Sequence, residues 1–201
     1  MASRLPPLFL VTDRSQARGS LLEIVKKACL GGCRFLSLRE KDLAPEARRD
    51  LLLEILPITR SFGATLLVHN DLEAAKLCDG IHLPADGDIK AARLSLSSNA
   101  VVGISCHSLA DVKNAAKADY VTLGPIAATA SKPGYLVRVL EEELSQAAAL
   151  GVPVYALGGV DEGTTPRLKK IGLAGIAVMG GVMRSEDPEA TVQALLRAWE
   201  E

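Results

Sequence analysis

"RFLSLREKDLAPEARRDLLLEILPITRSFGATLLVH", residues 34–69, decides the fold. Short apolar runs stand at its two ends, "RFLSL" (34–38) and "TLLVH" (65–69). Both read as continuous apolar strands rather than alternating ones, which suits parallel strands covered by helices. Between them, "PEARRDLLLEILPITRSF" predicts a helix with Pro45 in its first turn, where the missing N–H costs nothing. Strand, helix and strand in that order form one unit of a parallel α/β architecture.

The unit recurs in both directions. Further runs at "LFLVT" (8–12), "GIHLP" (80–84), "VVGIS" (101–105), "YVTLG" (120–124), "VPVYAL" (152–157) and "GIAVM" (175–179) bring the strands to eight. Helix signals lie between them. Ser20 is a candidate cap for "LLEIVKKACL", and Ser108 for "SLADVKNAAKA". Gly151 and Gly172 are candidate C-terminal stops, and Asp187-Pro188 opens a final helix. Eight strand–helix repeats with no second domain predict a single (β/α)8 TIM barrel over residues 1–201. That is compact against the ~250 residues typical of the fold. A doubly wound open sheet is the rival, but the first turn, "VTDRSQARGS", has no GxGxxG for a dinucleotide.

Composition narrows the function. The hydrophobic fraction of 48% is that of an ordinary globular domain. A net charge of -1 gives no electrostatic case for nucleic acid or an anionic membrane. No apolar run reaches the ~18 residues of a membrane span, and Asp13 interrupts the apolar N-terminal patch. Cys29, Cys33, Cys78 and Cys106 form no CxxC pair and read as buried thiols of a reducing compartment. The expectation is a cytoplasmic protein; whether it forms a homo-oligomer is left open.

In a barrel, chemistry sits where the strands end. The predicted exits carry two kinds of group. One is cationic and hydroxylic: Arg39 and Lys41 after strand 2, Ser105 on strand 5, and Thr129, Ser131 and Lys132 after strand 6. Such a set suits phosphate or diphosphate. The other is anionic: Asp71 after strand 3, with Asp86 or Asp88 after strand 4. Carboxylates beside a phosphate site suit Mg2+, which bridges protein and phosphate oxygens. Gly158-Gly159 and Gly180-Gly181 end strands 7 and 8, where barrels often seat a phosphate on backbone N–H groups. Each feature alone has a plainer reading: "REKD" as a solvated charge run, "ND" and the glycine pairs as turns, the hydroxyls as loop solvation. Their convergence on one face favours two anion sites, one for diphosphate and one for monophosphate. His69, His82 and His107 raise a zinc reading, but no HxH or HExxH spacing supports it, and His82 between Ile81 and Leu83 reads as a structural histidine.

These motifs together resemble the thiamine phosphate synthase family, from "LFLVTD" to "GIAVMGGV". The family's Q-x-R-x-K reads "SLREK" here, N-D is Asn70-Asp71, and G-[VI]-H-[LI] is "GIHL". "GISCHS", "ADYVTLGPIAATASKPG" and "VPVYALGGV" resemble its other signatures. The resemblance implies a transferase that joins hydroxymethylpyrimidine diphosphate to hydroxyethylthiazole phosphate, releasing diphosphate. By position, Arg39, Lys41, Asn70, Ser105 and Lys132 would grip the diphosphate. Asp71 would hold Mg2+ with Asp86 or Asp88, and Thr129, Ser131, Gly159, Gly180 and Gly181 would receive the thiazole phosphate. The chain departs from the pattern at three places. Ser37 replaces the Gln that contacts the pyrimidine, "PADGD" replaces G-Q-x-D, and Leu72 replaces a common Arg. The alternative is a thiazole tautomerase-like or non-synthase homologue that binds a phosphorylated thiazole; against the former, the tautomerase histidine would fall at Pro125.

Overall fold

The computed structural model describes residues 5–127 and 139–201. Eight parallel strands close into a barrel in chain order: β1 (Leu8–Val11), β2 (Phe35–Leu38), β3 (Thr65–His69), β4 (Gly80–Leu83), β5 (Val101–Cys106), β6 (Tyr120–Leu123), β7 (Val154–Leu157) and β8 (Gly175–Val178). β8 pairs back onto β1 through Phe9↔Ala177, so no edge is left open. Each strand lies within two residues of its expected bounds. The largest difference is at β7, expected from 152. Pro153 has no N–H to give a ladder, so pairing begins at Val154.

The helices α1 (Leu21–Leu30), α2 (Pro45–Ser61), α5 (Leu109–Asn114), α6 (Glu141–Ala148), α7 (Thr165–Lys170) and α9 (Pro188–Glu200) match the expected segments. The rest are α3 (Leu72–Ala75), α4 (Ile89–Ser95) and α8 (Gly180–Met183), two of them single turns. Such short pieces carry no periodic signature, and they explain how 201 residues complete the barrel. Ser108 caps α5 in a reciprocal box with Asp111, and Asp187 accepts from the Ala190 N–H at the start of α9. Ser20 stands at the N-cap of α1 but makes no side-chain cap bond. Cys29, Cys33 and Cys106 are buried, Cys78 is half-buried, and all four are free thiols. Among the described residues no helix is long and apolar enough to cross a membrane.

The strand register arranges the inward side chains in levels drawn from alternate strands. The two lower levels are Phe35, Gly80, Tyr120 and Gly175, then Phe9, Leu67, Gly103 and Tyr155. Their rings pack with centroids 4.4 Å apart for Phe9–Phe35 and 5.0 Å for Phe35–Tyr120. Glycine opposite a large ring fills the taper: a side chain on Gly103 would collide with the Tyr120 ring. The two upper levels are Ser37, His82, Thr122 and Ala177, then Val11, His69, Ser105 and Leu157. The barrel interior therefore turns from aromatic to polar about halfway along its axis.

Candidate active site

A cavity of about 410 Å³ opens at the C-terminal ends of the strands. Arg39, Lys41, Ser105, Gly159, Gly180 and Gly181, six of the residues expected from the sequence, line it together. His69, His82 and Thr122 from β3, β4 and β6 complete it, with Asp13 just after β1 and His107 and Arg184 at the rim loops. Thr129, Ser131 and Lys132 lie outside the described residues. Ser37 is not a lining residue. It is fully buried at an inward position in the middle of β2, on the same level as His82 and Thr122.

The cationic side is braced by a buried carboxylate. Glu40, only 2% exposed, accepts from Thr12 Oγ1 at 2.6 Å and from the Arg14 N–H at 2.9 Å. Thr12 Oγ1 in turn accepts the Arg39 N–H at 3.0 Å. This network ties the β1 exit to the β2 exit and holds Arg39 and Lys41 on either side of Glu40. Burial pushes the Glu40 carboxyl up, against the hydrogen bonds from Thr12 and Arg14. The Arg39 guanidinium lies 3.8 Å from Asp13 Oδ2. Burial raises the Asp13 pKa, but hydrogen bonds from Ser15 and Gln16 and the Arg39 charge outweigh it, leaving the carboxyl below its usual range. Opposite, Arg184 folds back over the turn of α8, hydrogen-bonds Gln16 and covers Gly180, where any side chain would strike the guanidinium. Arg184 was not legible in the sequence, since nothing in "GGVMRSEDP" says that its side chain returns to the mouth.

The floor of the cavity is neutral. His82 is fully enclosed, with Nδ1 2.8 Å from the Tyr120 hydroxyl and Nε2 3.0 Å from Ser105 Oγ, the structural role expected for it. His69 stacks on it at 5.7 Å. Burial, then the charges of Lys41, Arg39 and Arg48, push the His69 pKa down to about 3. Burial, then His69 and Arg39, bring His82 likewise to about 3. His107 reaches the Gly124 carbonyl through Nδ1 at 2.7 Å. Three side-chain atoms in this upper barrel, Ser37 Oγ, His69 Nδ1 and Thr122 Oγ1, are buried without a hydrogen-bond partner among the described residues. An unpaired buried polar atom costs about 1–3 kcal/mol, so three in one place mark a region built for something other than stability.

The acidic residues stand to one side. Asp71 caps α3, accepting the Ala74 N–H at 3.0 Å, and its Oδ2 lies 3.6 Å from Arg48 Nη1. Asn70 before it is exposed and takes φ 51°, a left-handed turn that asparagine tolerates. Asp88 caps α4 at the Ala91 N–H, and Asp86 is exposed on the preceding loop. Among the described residues no group of three or more His, Cys, Asp or Glu could hold a metal, so the three histidines form no zinc cluster. A hard cation needs no such cage. The oxygen-only donors on the neighbouring β3 and β4 exits fit Mg2+ bound through one or two carboxylates and completed by a ligand's phosphates.

The chain matches the family model described as thiamine monophosphate synthase over residues 8–182. It is 37% identical over 196 residues to a putative thiamine-phosphate synthase of Geobacter sulfurreducens, covering 94% of this chain and 92% of the relative. It is 35% identical to the thiamine-phosphate synthase of Chromobacterium violaceum, covering 97% of each. The solved thiamine phosphate pyrophosphorylase of Pyrococcus furiosus superposes with a TM-score of 0.86 at 27% identity, over 96% of this chain and 95% of that one. The chain belongs to the thiamine monophosphate synthase family.

Proposed function

We propose that this member of the family is a thiamine-phosphate synthase, joining hydroxymethylpyrimidine diphosphate to hydroxyethylthiazole phosphate with release of diphosphate. The observation that carries the reading at the site is the pairing of a cationic rim with a neutral floor in one cavity. Two phosphorylated substrates need cations, and a neutral heteroaromatic ring does not. Arg39 and Lys41 on one side, with Lys132, grip the diphosphate. Gly159, Gly180 and Gly181 receive the thiazole phosphate with Thr129 and Ser131. Ser105 and Asn70 complete the diphosphate contacts, and Ser37 stands on the pyrimidine side.

The chemistry follows from charge. As the bond from the pyrimidine methylene to diphosphate breaks, negative charge grows on the leaving group. Arg39 and Lys132 bind it more tightly at that point than in the ground state, and this difference is what accelerates the step. The electron-rich aminopyrimidine carries the positive charge left on its methylene carbon, and the thiazole nitrogen closes the new C–N bond. No protein nucleophile or general base is required, which agrees with His69 and His82 held neutral by burial. Asp71, joined by Asp86 or Asp88, would hold Mg2+, whose charge supplies further neutralisation of the diphosphate. The tautomerase alternative is not favoured: its proton-transfer position is Pro125, and the named relatives are synthases.

The test is direct. Purified protein is incubated with both substrates, with Mg2+ and with a chelator, and thiamine phosphate is detected by mass. Product is expected only with the metal, and Asp71→Ala is expected to abolish the metal-dependent turnover. Absence of product under every condition would sink the synthase reading. Equal turnover with and without Mg2+ would sink the metal assignment alone.

A further inference from the structure

We infer that His69 and Thr122, with Ser37 on the level of Thr122, form a hydrogen-bonding floor that reads the edge of the pyrimidine ring and sets which pyrimidine the barrel accepts. This rests on the synthase reading above.

Three observations converge. First, among the described residues Ser37 Oγ, His69 Nδ1 and Thr122 Oγ1 are the unpartnered side-chain atoms of the upper barrel, on residues 0%, 8% and 1% exposed. They occupy adjacent inward levels, and His69 and Thr122 line the cavity itself. The neighbouring polar groups are already committed: His82 holds both Tyr120 and Ser105. Ordinary barrel packing would fill these positions with Val, Ile or Leu. Polar groups placed there and left unpaired are poised to be satisfied by a ligand.

Second, the chemistry of the set matches an aminopyrimidine edge. That edge offers ring nitrogens as acceptors and an exocyclic amine as donor. Hydroxyls both donate and accept, and a neutral imidazole offers one of each. His69 lines the cavity, and its Nδ1 is buried with no hydrogen-bond partner among the described residues, so a ring nitrogen is left for the ligand's edge.

Third, the division of labour is spatial. The arginines and lysines sit at the rim, where phosphates arrive, and the polar groups without charge lie at the bottom. Ser37 stands where the resemblance leads one to expect a pyrimidine-contacting Gln. A serine is too short to do that work, and it does not line the cavity. The hydrogen bonds that one amide would make are here spread over Thr122 and His69.

The experiment uses two isolated probes and two substitutions. Calorimetry measures binding of free hydroxymethylpyrimidine, which has no phosphate, and of inorganic diphosphate. The proteins compared are the parent, Thr122→Val and His69→Leu, with melting temperatures recorded for each; His69→Gln replaces His69→Leu if the latter does not fold. Each substitution is expected to weaken pyrimidine binding about tenfold, the usual scale for one lost hydrogen bond to a ligand. Diphosphate affinity should be unchanged. Under turnover, KM for the pyrimidine substrate should rise and KM for the thiazole should not. Thr122→Val should melt at or above the parent temperature, because it removes an unpaired hydroxyl at constant shape. A melting point that falls while pyrimidine affinity is retained would overturn the inference, leaving the hydroxyl a structural or water-bound group only. Parallel losses of pyrimidine and diphosphate would also overturn it. If the parent makes no thiamine phosphate yet loses pyrimidine binding on substitution, the floor stands and the synthase reading fails.

Discussion

The lower and upper halves of the barrel interior are built from the same eight strands and solve opposite problems. Below, Phe9, Phe35, Tyr120 and Tyr155 fill the space completely, and both phenols are paired. Tyr155 donates to the Pro6 carbonyl at 2.9 Å, and the Tyr120 hydroxyl meets His82 at 2.8 Å. Above, three polar atoms have no partner among the described residues, and the walls end in cations. The lower half is what an optimised core looks like. The upper half gives up stability at positions where function needs unpaired hydrogen-bonding groups. A substitution should therefore act on stability below and on chemistry above.

The largest effect is expected at the bottom. Phe35 is fully buried and touches the rings of Phe9, Tyr120 and Tyr155. Phe35→Ala leaves a cavity that neighbouring rings cannot fill, at a cost of about 3–5 kcal/mol. Urea unfolding should show the free energy of unfolding fall by that amount, while turnover per folded molecule stays near the parent value. A loss under about 1 kcal/mol would mean that the aromatic half is not the core that its packing suggests.

The two halves also differed in how far the sequence revealed them. Strand existence was legible everywhere, because a barrel strand is apolar on both faces and the runs stand out between glycines and helices. Which residues shared a level was not. That depends on register and closure, which no local pattern encodes, so His69 and Thr122 did not emerge as floor residues. The cationic rim was readable because strand exits are fixed by strand ends: Arg39 and Lys41 follow β2 directly, and both line the cavity. Arg184 and the Glu40 bridge were not, since each depends on a side chain crossing to another element. The short helices α3 and α4 were also hidden, being too brief for a period to show.

The rim supplies the second prediction. Arg39 lines the cavity from the β2 exit, positioned by its backbone bond to Thr12 and by Asp13. Arg39→Ala should lower kcat by about 10²-fold, on the scale of a lost contact to developing negative charge. Lys132→Ala should act in the same sense if the loop after β6 carries that lysine to the diphosphate. Melting temperature should barely move, because Arg39 is only half-buried and its ion pair is partly solvated. Arg39→Ala that unfolds the protein but leaves kcat intact would reverse the assignment of the two halves.

The remaining effect is a dependence on pH, and it separates the halves without any substrate. His69 and His82 titrate near 3 in the folded barrel against 6.5 when exposed. Between those values the unfolded chain binds more protons than the folded one, so stability rises with pH across that window. It is complete above about 6.5 and is lost progressively as the pH falls toward 3. Glu40 works against this: its carboxyl is pushed up by burial, so the folded state takes up a proton first and gains a little as the pH drops. Asp13 and Asp111 are both held below the usual carboxylate range, and their contributions fade only at still lower pH. Across the interval from about 6.5 to 5 the two buried histidines both act to lower stability as the pH falls. The melting temperature of the parent should fall across it, by about ten degrees if both histidines stay neutral when folded. His69→Leu should flatten part of that slope, because only His82 remains to be charged, whereas Phe35→Ala should lower the whole curve and leave its slope alone. A parent curve that is level from 6.5 to 5 would mean that the histidines are not buried as neutral groups, and the polar half of the barrel would have to be read as open to water.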